Sequence, residues 1–75
     1  MATPLVTVTL GDPTVVTVGN ATMMFHTPSS AANAATRWQL DSLRWEPGSP
    51  ERQQMVWFAE AAAKACQMMA ERELS

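Results

Sequence analysis

The chain has a single cysteine, Cys66, and a single histidine, His26, among its 75 residues. One thiol cannot close an internal disulfide. One Cys and one His cannot supply the roughly four protein ligands of a closed zinc site. Glycine is scarce, at three residues, and no Gly-rich run exists to cradle a phosphate. Positive charge is scarce as well. Arg37, Arg44, Arg52, Lys64 and Arg72 are scattered among seven acidic residues, for a net charge of −2. Proteins that neutralise nucleic-acid phosphates concentrate Lys and Arg in a stripe or patch, so nucleic acid is disfavoured as a partner. No run approaches the roughly 20 apolar residues of a membrane span. The N-terminal segment "MATPLVTVTLGDP" lacks the charged and long apolar regions of a secretory signal. The expected compartment is the cytoplasm.

These absences narrow how so short a chain stays folded. A single core of this size rarely supplies more than about 3–5 kcal/mol of net stability, because ordering costs on the order of 1.5 kcal/mol per residue. Small chains close that gap with disulfides, a metal or association. Association, with a copy or with another protein, is what remains to this one, unless its packing is unusually good.

What is present begins with period-two alternation. In "LVTVTL", Val6, Val8 and Leu10 point one way and Leu5, Thr7 and Thr9 the other. "GDP" at 11–13 is a turn cluster. "TVVTV" and "ATMMFHT" follow, separated by Gly19-Asn20, a two-residue hairpin signal with Gly at positive φ. That turn sets Val18 against Ala21, Val16 against Met23 and Thr14 against Phe25, while Val15–Met24 and Thr17–Thr22 fall on the opposite face. Turn and pattern agree, so the register is specified. The expected core face is Val6, Val8, Leu10, Val16, Val18, Met23 and Phe25.

After "TPSS", Ser29 or Ser30 is the expected cap of a helix reaching about Arg44. "EPGSP" breaks the chain, and Ser49-Pro50 is a second helix start. The fold class is therefore α+β: a three-stranded antiparallel meander (about 5–10, 14–18 and 21–27) and two helices (about 30–44 and 50–73) on one sheet face. The whole chain reads as one domain.

The second helix carries an excess of apolar surface. At about 100° per residue, Gln53, Glu60, Lys64, Gln67 and Glu71 make one narrow polar stripe. The remaining arc, centred on Met55, Phe58, Ala59, Ala62, Cys66 and Met69, spans roughly 240°, where an amphipathic helix needs little more than about 100°. Val56, Ala63 and Ala70 widen it on one side, and Ala61, Ala65 and Met68 on the other. Trp57 falls beside Glu60 and Lys64, and the ridge Trp57–Ala61–Met68 is expected to be partly exposed. The first helix shows two apolar facets: Ala31, Ala34, Ala35, Trp38, Ser42 and Trp45 on one, Ala32, Leu40 and Leu43 on the other. Two facets need two neighbours, of which the domain core is one.

Chemistry finds little purchase. His26 sits near a strand end, with Asp12 or Asp41 as conceivable partners, but one imidazole without a placed partner is no catalytic constellation. No G-x-S-x-G elbow occurs. Cys66 reads as a small apolar residue inside the helical arc, where a thiolate is disfavoured. Asn20 in "NAT" is accounted for by the hairpin turn. No catalytic, metal or cofactor residues are assigned, and no enzymatic activity is expected. The unusual abundance is six Met and three Trp, residue types suited to adaptable or buried contacts. Partner contact is expected at Trp57, Glu60, Lys64, Met68, Met24 and Trp45. The expected function is a protein-binding protein, of the kind that phage or prophage accessory proteins provide when they inhibit a host complex, as anti-CRISPR proteins do. A virion component or homo-oligomeric assembly subunit, including a homodimer, is the alternative, and a small DNA-binding regulator is the third.

Overall fold

The computed structural model describes residues 3–74. Strands β1 (Val6–Thr9), β2 (Thr14–Val18) and β3 (Ala21–Phe25) are followed by helices α1 (Pro28–Ser42) and α2 (Pro50–Leu74). The strands form an antiparallel meander in the order β1-β2-β3, and both helices cover the same sheet face, so the fold is α+β. Gly19 has φ 59°, and no non-glycine residue among those described has positive φ. This makes the hairpin a type II′ turn, whose twist matches its flanking strands. The register follows from it: Val18 faces Ala21, Val16 faces Met23 and Thr14 faces Phe25. On the other side of β2, Val6 faces Val18 and Val8 faces Val16.

Several boundaries differ from the sequence pattern for local reasons. β3 stops at Phe25, and α1 begins at Pro28 with Thr27, not Ser29 or Ser30, as its cap. A residue before proline is pushed out of the helical region, and Thr27 sits at φ −135°, ψ 155°. Pro28 then supplies a preset φ at the first helical position. The Thr27 hydroxyl oxygen accepts from the Ser30 backbone N–H at 3.1 Å. Thr27→Ala is expected to cost about 1 kcal/mol, read as a lower urea midpoint with an unchanged slope. Ser49 caps α2 as the pattern indicates, accepting from the Arg52 N–H at 3.2 Å.

Helix α1 also ends early, at Ser42. The N–H groups of Leu43, Arg44 and Trp45 bond to carbonyls three residues back, a tightening that commonly closes a helix. Pro47 follows and forbids continuation. Trp45 therefore leaves the face it would share with Trp38 on a longer helix, and stands 46% exposed.

The core is small in volume. Its buried apolar residues are Val16, Val18, Phe25, Ala31, Ala61, Ala62, Ala65 and Met69. Half of that set is alanine, and the largest fully buried side chains are Val16 and Thr14. Thr14 is accommodated because its hydroxyl donates to the Gly11 carbonyl at 3.3 Å. Larger side chains, Trp38, Trp57 and Phe58 among them, pack against the core while half-buried. The Trp38 and Phe58 rings meet at 5.6 Å between centroids with a 54° tilt. Leu10, placed on the core face by alternation, lies one residue past β1 and is 38% exposed. Once the strand ends, period two no longer fixes where a side chain points.

The result is a thin plate of 40 × 22 × 15 Å. Its long dimension is set by α2, whose 25 residues span about 37 Å at 1.5 Å per residue. The radius of gyration of 12.4 Å exceeds the roughly 11 Å of a compact chain of this length. No helix among the described residues is long and apolar enough to cross a membrane.

Candidate functional site

Alanine decides which side of α2 turns inward. Ala61, Ala62, Ala65 and Met69 are buried, so the buried centre lies on the Ala61 side of the arc. The expected exposed ridge is corrected at its middle: Ala61 is 2% exposed. Trp57 and Met68, four residues before it and seven after, stay half-buried at its ends, with Trp57 packed on the core. Small alanines let the sheet approach α2 closely, and the bulkier ridge ends only partly escape that contact.

The opposite flank is left open. Ala63 is exposed, and Val56 and Ala59 are half-buried. They line a groove between α1 and α2, with Leu40 and Leu43 on its other bank. Leu40 is 61% exposed and Leu43 65%, which identifies the second facet of α1 as uncovered. Arg52 and Glu60 also line this groove. Neither closes an ion pair among the described residues, unlike His26 with Asp12 and Arg44 with Asp41. The i, i+4 pairing of Glu60 with Lys64 that the spacing permits is thus not made.

No family model, curated protein or solved structure matches this chain.

The six residues singled out from sequence do not gather in one place. Glu60 belongs to the α1–α2 groove. Lys64 lies exposed on the polar stripe of α2. Trp57 and Met68 belong to the core-side ridge, and Trp45 to the connection between the helices. Met24 is 63% exposed on the sheet face turned away from the helices, among Thr7, Thr9 and Thr22. The groove residues Leu40, Leu43, Arg52, Val56, Ala59 and Ala63 were outside that selection. Their signal was the second facet of α1 together with the Val56–Ala63 flank of α2.

A second, polar place lies at the sheet end. His26 Nδ1 is 3.7 Å from an Asp12 carboxylate oxygen, with both side chains largely exposed. Asp41, the other carboxylate considered for it, pairs instead with Arg44 at 3.8 Å. Arg72 donates to the Gly11 carbonyl at 3.3 Å, tying the end of α2 to the β1–β2 turn. Surrounded by water, the His26–Asp12 contact has no low-dielectric setting to strengthen it. Cys66 is half-buried against the core. Among the described residues no three His, Cys, Asp or Glu side chains gather as metal ligands would.

Proposed function

We propose that this chain is a small non-enzymatic protein that works by covering protein surface with the open face of its helix hairpin. The observation that carries this is the exposed pair Leu40 and Leu43, standing over the Val56–Ala59–Ala63 flank. Apolar side chains that share one groove release water together on docking, at about 25 cal/mol per Å² buried. The alanines leave notches into which a partner's larger side chains fit. In a chain of this size, the reading takes the form of an accessory protein that inhibits a larger complex by occupying its surface. Phage- or prophage-encoded anti-CRISPR-like proteins acting on a host complex in the cytoplasm are that class. A subunit that assembles with its own copies is the second reading, favoured by the placement of Arg52 and Glu60 along the groove.

A photo-crosslinking residue at position 43, with one at position 9 on the opposite sheet face as control, tests the surface in the cell that encodes the chain. Covalent protein adducts are expected from position 43, are expected to vanish in a Leu40→Glu background, and are not expected from position 9. Adducts from position 9 alone, or from neither position, would show that the helix face is not the working surface.

A further inference from the structure

We propose that the helix face is covered by a second copy of this chain, docked about a two-fold axis that passes beside Val56. The inference rests on the helix-face reading above and takes the second occupant named there, a copy of the chain, in place of a different complex. Three observations converge on a copy.

The first is charge. Arg52 and Glu60 lie four residues either side of Val56, so the three form one i, i+4 ridge along the groove. Ridges of this kind interdigitate, each seated in the groove beside the other, when helices cross at about −50°. Laid against the same ridge of a second copy in reversed direction, Val56 meets Val56. Arg52 meets Glu60 of the second copy, and Glu60 meets its Arg52. An isologous interface requires this reciprocity, and a ridge with one charge of each sign at equal distances from an apolar centre satisfies it. Both charges are available for the purpose, since neither closes an ion pair among the described residues.

The second is shape. Leu40 and Leu43 project from one bank of the groove, and Ala59 and Ala63 recess the other. A face that carries both projections and notches is able to complement itself. The apolar residues would then form the centre and the two ion pairs its border, the usual anatomy of a protein interface.

The third is area. The chain exposes 5131 Å², against about 4,500 Å² expected for a folded monomer of its mass. The excess, on the order of 600 Å², belongs to the elongated molecule as a whole, which has ample surface for a standard interface of roughly 800 Å² per partner. A core without large fully buried side chains gives an independent reason for association.

Sedimentation equilibrium over a wide concentration range, with charge-reversed variants, provides the test. The wild-type chain is expected to reach twice its 8.2 kDa mass. Arg52→Glu sets two carboxylates against each other at both ends of the interface, and Glu60→Arg sets two guanidinium groups against each other there. Each single variant is expected to self-associate about ten-fold more weakly or worse. An equimolar mixture is expected to restore the dimer, because the heterodimer has an opposite-charge pair at both ends. Folding is safeguarded. The Arg52→Glu change completes a capping box with Ser49, the Glu60→Arg change keeps a good helix former, and circular dichroism checks both. A wild-type monomer at every concentration would overturn the second copy as occupant. It would leave the helix face itself to the crosslink at position 43, whose adduct would then be a different protein. A dimer indifferent to both reversals, or a mixture no tighter than its parts, would also overturn the proposal.

Discussion

Ala62→Glu is expected to unfold this protein, and Ala63→Glu, one residue on, to leave it folded. Ala62 is fully buried in the core, whereas Ala63 is exposed on the groove. A carboxylate forced into the first site has no counter-charge among the apolar residues that surround it, and burying an unpaired charge costs several kcal/mol. That equals or exceeds the roughly 3–5 kcal/mol such a core supplies. Cooperative thermal unfolding should be absent in Ala62→Glu. At concentrations low enough for the wild-type chain to be monomeric, Ala63→Glu should stay within about 0.5 kcal/mol of wild type, as surface substitutions do. It should nevertheless lose self-association, because it sets a charge among Leu40, Leu43 and Val56. Thermal melts and sedimentation of the two variants separate fold from face. Equal stability of the pair would contradict the inward direction assigned to α2.

Phe25→Ala is expected to have the next largest effect. Phe25 is 7% exposed and opposes Thr14 across the β2–β3 pair. Truncating a buried phenylalanine costs about 3–5 kcal/mol, through lost transfer energy and the cavity left behind. In a core dominated by alanine and valine, no large neighbour is fully buried beside it to collapse inward. Met24→Ala, on the adjacent position, removes a side chain that points away from the helices and should shift stability by no more than about 0.5 kcal/mol. Urea unfolding followed by tryptophan emission reads both variants, since Trp38 and Trp57 pack against the core. A costly Met24→Ala would mean that the outer sheet face is covered in solution.

The meander was legible residue by residue because two independent signals fixed it. Gly19-Asn20 set the turn, and alternation set the faces. Any slip of one residue would have put Val16 and Val18 into water. The start of α2 was legible for the same reason, since Ser49, Pro50 and Glu51 agree. Thr27 was passed over as a cap because two serines follow it, although Pro28 already restricted Thr27 to the extended conformation a cap requires. The direction of α2 was not legible. An apolar arc of roughly 240° fits more than one orientation, and only the position of α1 and the sheet chooses between its flanks. That choice moved the open surface from the Trp57–Met68 ridge to the Val56–Ala63 side. The candidate site moved with it, retaining Glu60 alone of the residues first singled out. The polar stripe itself was correct, for Gln53, Glu60, Lys64, Gln67 and Glu71 are all exposed.

The path of α2 bears on how the chain acquires its structure in time. Strand follows strand and helix follows helix as spatial neighbours, so two local hairpins assemble from contacts close in sequence, the kind that form quickly. The long-range step is the return of α2 across β1 and β2, which it contacts directly. Synthesis proceeds from the N-terminus, so the meander emerges first, with its apolar face exposed to water until the helices arrive. Val16 and Val18, on β2, stay wetted until α2 packs across that strand, whereas β3 with Phe25 is met by α1. The small residues that make the finished core shallow also make this last closure undemanding, because alanines settle onto a sheet without having to find rotamers.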